Sequence, residues 1–179
     1  MGDLKFTTAG DYMKTPAAYA GVGSRETPLL VQQRMTEIAV QLSKLGYVLY
    51  SGGAEGADSA FEQGADQKII FLPWNGFNGK KINGSDYVQP PGNIELVEKY
   101  HPNVQALGGR ARALMSRNSY QVLGEDLNSP VEFVLCWTKD GKASGGTGQA
   151  IRIAEANGIP VFNFYHGYDQ FETFIAESS

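Results

Sequence analysis

Short apolar runs alternate along the chain with segments in which apolar residues recur at helical spacing. Five apolar runs predict β-strands, at 17–22, 47–50, 68–73, 131–138 and 159–164. Six segments with helical spacing predict helices, at 29–45, 57–66, 94–107, 110–123, 149–157 and 169–176. This alternation is typical of an α/β fold. We expect a three-layer, Rossmann-like, doubly wound parallel sheet of about five strands, with the first strand central.

One segment interrupts the alternation. Residues 75–93 contain four glycines and two prolines and show neither strand nor helix periodicity. A segment of this length in a compact domain is either a lid over a site or disordered. We therefore predict an irregular N-terminal arm at 1–16 and a single Rossmann-like domain at 17–179 that carries an irregular insertion at 75–93.

The segment 47–64, YVLYSGGAEGADSAFEQG, organises the rest of the chain. Its apolar run stops at Ser51-Gly52-Gly53, and a helix of small residues begins near Gly56. A strand that leads through glycines into a helix can bind an anion with backbone amides alone. Glycine lets a phosphate approach the amides that the first helical turn leaves unpaired.

Two further glycine turns follow predicted strands. The first is Gly21-Val22-Gly23-Ser24-Arg25, and the second, Ser144-Gly145-Gly146-Thr147-Gly148, opens the helix at 149–157. Right-handed crossovers place all of these turns at the carboxyl edge of the sheet. Their amides suit a ligand with more than one phosphate, or with a phosphate and a sugar. The alternative is that the glycines only permit positive φ in tight turns.

Several side chains near these turns have two interpretations each. Arg25 is placed for a bidentate pair with phosphate, or it is an exposed surface arginine. Asp58 is placed to cap amides at the start of a helix, or to accept a hydrogen bond from a ribose hydroxyl. Trp74 and Trp137 each follow a buried strand, where they complete the edge of the core or stack on a base.

Composition and charge limit the kinds of partner that the protein can bind. The chain has 179 residues with 15 Lys+Arg and 19 Asp+Glu, so a broad basic face for nucleic acid is not expected; this balance is compatible with a local basic pocket. The single cysteine, Cys136, lies in an apolar run and is expected to be a buried packing residue.

The absence of intrachain disulfides and of a secretion signal suits the cytoplasm. No apolar run reaches the roughly 20 residues of a membrane helix.

The ordered set of glycine turns, together with Arg117-Asn118, resembles a Rossmann-like superfamily often called SLOG. That superfamily includes DNA-processing protein A, the "lonely guy" phosphoribohydrolases and small nucleotide-sensing domains. The sequence is most similar to the DNA-processing protein A branch and its small single-domain relatives. The resemblance spans about 17–164. It implies a nucleotide-like ligand and places Arg117 and Asn118 in the ligand pocket; the alternative for Arg117 is a solvated basic helix face.

Together these features define a predicted ligand site. Its members lie in the glycine turns or in the Arg-Asn pair: Gly21, Gly23, Ser24, Arg25, Ser51, Gly52, Gly53, Glu55, Asp58, Arg117, Asn118, Ser144, Gly145, Gly146 and Thr147.

The sequence predicts neither catalytic residues nor a metal or cofactor. His101 and His166 are isolated, and Cys136 has no partner at metal-ligand spacing. Phosphoribohydrolases carry a glutamate shortly after the second glycine turn, whereas the next acidic residue here is Glu155. Glu55 is the carboxylate best placed for proton transfer, and we expect it to face solvent.

Three functions follow from these features of the sequence. The leading one is non-catalytic binding of a nucleotide or nucleotide-derived phosphate ligand. The second is single-stranded DNA binding, expected to be weak because the basic residues form a small cluster in an acidic chain. The third is hydrolysis of an N-glycosidic bond of nucleoside monophosphates. We expect the protein to bind a small molecule and not to associate with a membrane. A homo-oligomer is compatible with the sequence.

Overall fold

The computed structural model describes residues 16–178, so the predicted arm at 1–16 lies outside the described residues except for its last position. Six parallel strands form one sheet in the order β4-β3-β2-β1-β5-β6. The strands are β1 (Ala18–Gly21), β2 (Val48–Ser51), β3 (Lys68–Phe71), β4 (Tyr87–Val88), β5 (Val134–Cys136) and β6 (Val161–Asn163).

Helices cover both faces of the sheet. They are α1 (Leu29–Lys44), α2 (Ala57–Gly64), α3 (Ile94–Tyr100), α4 (Gly109–Leu123), α5 (Thr147–Ala156) and α6 (Asp169–Ser178). Apolar residues of α1, α2 and α6 form one buried cluster, around Tyr19, Phe61 and Phe133. Residues of α3, α4 and α5 form the other, around Phe71 and Val134. The predicted three-layer, doubly wound α/β fold is confirmed, and no helix of the described residues is long and apolar enough to cross a membrane.

The sheet has one strand more than the five that the sequence predicts, because β4 lies inside the segment 75–93. The amide of Ile70 donates to Asp86 O at 2.6 Å, and the amide of Leu72 donates to Val88 O at 2.8 Å. The side chain of Tyr87 also donates to Glu62 on α2, at a site close to Lys68 and Lys80. A strand of two residues is too short to show alternation, so the pattern of the sequence does not reveal it.

The strand order fixes where a ligand would lie. From β1 the chain continues to β2 on one side, whereas β5 pairs with the other side of β1. In such doubly wound sheets the crevice beyond the carboxyl ends of the two diverging strands is the usual ligand site. Here that crevice lies beyond Gly21 and Cys136.

Candidate functional site

A cavity of about 530 Å³ occupies this crevice. Its walls come from the loop after β1, the loop after β5, the start of α2 and one face of α4. Ten of the predicted site residues line it: Gly23, Ser24, Arg25, Asp58, Arg117, Asn118, Ser144, Gly145, Gly146 and Thr147. The structure thus brings together residues that are more than 120 positions apart in the sequence.

The second glycine turn presents free backbone donors to the cavity. Among the described residues, none accepts a hydrogen bond from the amides of Gly145, Gly146 or Thr147. Gly145 has φ of 62°, a conformation that glycine adopts without strain, and Gly146 is the N-cap of the ten-residue helix α5. Unpaired amides at the positive end of a helix dipole are an arrangement that favours an anion electrostatically.

One face of α4 forms the opposite wall. Leu114, Arg117, Asn118 and Gln121 all line the cavity, as expected for residues spaced three and four apart on a helix. Arg117 is buried, and its Nη1 donates to the carbonyl oxygens of Gly52 and Phe71. Its Nε donates to Asn118 Oδ1 at 3.1 Å. These bonds hold a buried cation in the cavity wall in one orientation.

Asn118 joins this wall to the glycine turn. While its Oδ1 accepts from Arg117, its Nδ2 donates to Gly146 O at 2.9 Å. The side chain therefore fixes the distance between the guanidinium of Arg117 and the free amides at the start of α5. Both polar ends of Asn118 thus make hydrogen bonds that connect the side chain of Arg117 to the start of α5.

The first glycine turn is arranged differently, because the chain supplies its own anion. Asp58, which is 4% exposed, accepts a hydrogen bond from the amide of Ala54 at 3.2 Å, and the amide of Gly23 also favours its charged form. Burial raises the pKa of Asp58 to about 6, although the nearby Arg117 and the two amides act in the opposite direction. The carboxylate thus lies beside the loops after β1 and β2, where the sequence predicts a phosphate.

Asp58 should make the stability of the protein depend on pH. Its pKa is about 6 when folded, against an ordinary value of 3.8, so the folded state retains a proton that the unfolded chain releases between these values. The stabilisation is complete below about pH 4 and is lost as pH rises through about 6. Urea unfolding of the parent and Asp58→Asn at pH 4 and 7.5 should show the parent losing about 2–3 kcal/mol relative to the variant. Parallel pH profiles of the two proteins would contradict this expectation.

Five predicted site residues do not line the cavity: Gly21, Ser51, Gly52, Gly53 and Glu55. Glu55 is exposed, as expected from the sequence. Ser51 is buried and its hydroxyl donates to Gly21 O at 2.6 Å. A Cβ on Gly21 would meet the ring of Phe61 at 2.6 Å, so this position serves packing.

Gly52 and Gly53 lie outside the cavity lining, where they contact buried side chains. The carbonyl of Gly52 accepts from Arg117, and a Cβ on Gly52 would collide with the side-chain ends of Arg117 and Gln121. Gly53 lies against Ile70 and Leu72 instead of facing the cavity. The glycines of the organising segment thus give room to buried side chains.

Other residues of the lining were not predicted as site residues. They are Val22, Glu26, Ala54, Phe77, Leu114, Gln121, Thr138, Lys139 and Ala150. The helical spacing from Arg117 would have identified Leu114 and Gln121, whereas Thr138 ends a predicted strand and Lys139 follows it. No local signal identifies Phe77, because it lies in the irregular insertion. In the structure its ring centre lies 5.4 Å from the guanidinium carbon of Arg117.

Other polar and aromatic residues near the predicted site have structural partners. Trp74 packs edge-on against Phe77 and lies under the guanidinium of Arg110, whereas Trp137 is half-buried near Tyr165. Arg112 donates to the carbonyls of Leu107 and Val104, away from the cavity. Cys136 is fully buried, which confirms its predicted packing role.

The cavity carries a small positive charge. Its lining contains three basic residues, Arg25, Arg117 and Lys139, and two acidic residues, Glu26 and Asp58. Arg25 and Lys139 are exposed at the mouth, so they can move toward a ligand. Among the described residues, no group of three or more His, Cys, Asp or Glu side chains could hold a metal ion.

Together, the fold and the cavity define a doubly wound α/β domain whose switch-point crevice is lined by unpaired backbone amides and a buried arginine. No family model and no curated protein matches the sequence. Among solved structures, the chain is similar to DNA processing protein A from Helicobacter pylori, which was described for its single-stranded DNA binding mode. The sequence identity is 20% and the TM-score 0.55, and the match covers 83% of this chain. It covers 65% of that chain, and at this identity it shows a shared fold.

Proposed function

We propose that this protein binds a nucleotide or a nucleotide-derived phosphate ligand, without transforming it, in the cavity beyond β1 and β5. The observation that carries this proposal is the convergence of three unpaired amides at the start of α5 with the buried cation Arg117. Backbone donors and a guanidinium together suit the charge and the geometry of a phosphate.

The other groups of the lining suit the rest of such a ligand. Asp58 has hydrogen-bond acceptor capacity beyond the amide of Ala54, and a carboxylate in the wall of the cavity can accept from ribose hydroxyls. Arg25 and Lys139 at the mouth attract an anion before it enters. The small net charge of the lining suits a ligand with one or two phosphates.

We infer binding without chemistry from the residues that follow the second glycine turn. Phosphoribohydrolases carry a glutamate there, whereas the next acidic residue of this chain is Glu155, which does not line the cavity. A general acid or base needs a carboxyl within hydrogen-bond reach of the reacting atoms. Incubation with each nucleoside 5′-monophosphate, followed by chromatography, tests this inference. Release of free base at a rate that depends on the protein would establish N-glycosidic hydrolysis instead.

Calorimetric titration tests the proposed binding. At about 150 mM salt, we expect 5′-mononucleotides to bind most tightly, ribose 5-phosphate more weakly and unphosphorylated nucleosides hardly at all. This order follows if the phosphate provides the anchor and the base adds contacts. Equal affinity for nucleosides and nucleotides would show that the amides of α5 do not bind the phosphate.

Single-stranded DNA is the second candidate, favoured by the structural similarity to DNA processing protein A. A strand of DNA needs several cations along a path, and each phosphate contact adds to the salt dependence of binding. Here Arg25 and Lys139 are the exposed cations of the lining, with Lys142 nearby in sequence. We therefore expect weak DNA binding at physiological salt.

Fluorescence anisotropy with a labelled oligothymidylate measures this second candidate. We expect affinity in the high micromolar range or weaker at about 150 mM salt. Submicromolar affinity that falls steeply as salt rises, and that Arg25→Ala and Lys139→Ala weaken, would make DNA the ligand.

A further inference from the structure

The side chain of Gln121 is buried in the lining of the cavity without a hydrogen-bond partner. Gln121 is 1% exposed, and its Oε1 accepts no hydrogen bond. Its Nε2 likewise donates to no acceptor within the described part of the chain. A buried carboxamide oxygen without a hydrogen-bond donor is uncommon, since leaving such an atom unpaired destabilises the folded state.

The surroundings of this carboxamide are built to accommodate it. Gly52 lacks the Cβ that would collide with Gln121 Nε2 and with Arg117 Nη1, so both side chains reach the same stretch of backbone. Arg117 uses that position to donate to Gly52 O, whereas Gln121 makes no hydrogen bond there. The carboxamide is therefore held beside the anion-binding cation with its hydrogen-bonding capacity unused.

We infer that Gln121 is a specificity-determining residue that hydrogen-bonds the edge of the base of the bound nucleotide. This inference rests on the proposed nucleotide binding and adds to it the group that reads the base. A carboxamide offers one acceptor and one donor side by side, which matches the adjacent donor and acceptor groups on the edges of nucleobases. A phosphate dianion has no proton to donate to Oε1. The apolar lining residues Val22, Phe77 and Leu114 suit the faces of a planar ring.

Gln121→Met tests the inference, because methionine has a similar shape and neither a donor nor an acceptor of comparable strength. Ser119→Ala is the matched control. Ser119 lies on the same helix, is fully buried and has an unpaired hydroxyl, but it does not line the cavity. Parent and variants are titrated by calorimetry with AMP, GMP, CMP, UMP and ribose 5-phosphate, and their melting temperatures are measured without ligand.

We expect Gln121→Met to weaken the tightest of the four nucleotides at least about tenfold and to reduce the differences among the bases. Ribose 5-phosphate should bind within about twofold of the parent, since it carries no base. The melting temperature of the free variant should be equal or higher, because an unpaired buried polar group has been removed. Ser119→Ala should leave every affinity unchanged.

Three results would overturn the inference while leaving the proposed function in place. The first is that variant and parent bind all four nucleotides equally. The second is that Gln121→Met weakens ribose 5-phosphate as much as the nucleotides. The third is that all affinities fall together with the melting temperature, which would assign Gln121 a structural role. If the parent binds none of the nucleotides, the proposed function fails and this inference with it.

Discussion

Arg117→Met is expected to lower the free energy of unfolding by about 3–5 kcal/mol. The substitution leaves the carbonyls of Gly52 and Phe71 and the Oδ1 of Asn118 without their donor in a buried place. It also removes the cation that favours the charged form of Asp58. Urea unfolding monitored by circular dichroism at pH 7.5 measures the change.

Arg110→Met is the control for this prediction, because Arg110 lies on the same helix but is exposed and packs over Trp74. Its loss should change the stability by less than about 1 kcal/mol. Adding Asp58→Asn to Arg117→Met should restore part of the stability, since the second change removes the uncompensated buried carboxylate. If the two methionine variants are equally stable, Arg117 is not a structural centre of the site.

Gly146→Asp is expected to weaken phosphate-containing ligands by about 2–4 kcal/mol, or roughly 30- to 1,000-fold. Gly146 is the N-cap of α5 in helical conformation, and no atom lies within 4 Å of an added Cβ. Aspartate can therefore be introduced without a collision, and its charge favours the start of the helix. The same charge stands where the phosphate is proposed to bind, so affinity should fall while the melting temperature is kept or raised.

Gly146→Asn separates charge from size in this experiment. Asparagine has nearly the shape of aspartate and is neutral, so it should weaken AMP, measured by calorimetry, far less than aspartate does. Equal losses in the two variants would mean that bulk at this position matters and that electrostatic repulsion does not.

Much of the architecture follows from local patterns. The apolar runs that became β2 and β3 are short and bounded by glycine or proline, and the helices follow apolar spacing. The second glycine turn was predicted as an anion site from its glycines and the helix behind it, and in the structure its amides are unpaired at the cavity. Whether they bind a phosphate stays a prediction.

The features that local patterns do not predict depend on contacts between residues that are distant in the sequence. The first glycine turn, like the second, follows a strand, but only the fold shows that the Asp58 carboxylate lies beside it and accepts from the amide of Ala54. From the sequence, Gly52 resembles a phosphate-binding glycine. In the structure its carbonyl accepts a hydrogen bond from Arg117, which lies 65 positions later. β4 forms because β3 offers it an unpaired edge, which the segment's own sequence does not reveal.

A ¹H–¹⁵N titration of the labelled protein tests most directly whether the amides at the start of α5 bind the phosphate of a nucleotide. On addition of AMP, the amide signals of Gly145, Gly146 and Thr147 should shift downfield and saturate together, because each gains a charged hydrogen-bond acceptor. The amide of Gly53, which lies outside the cavity, should shift little. Saturable shifts confined to other parts of the chain, with these three amides unmoved, would contradict the claim.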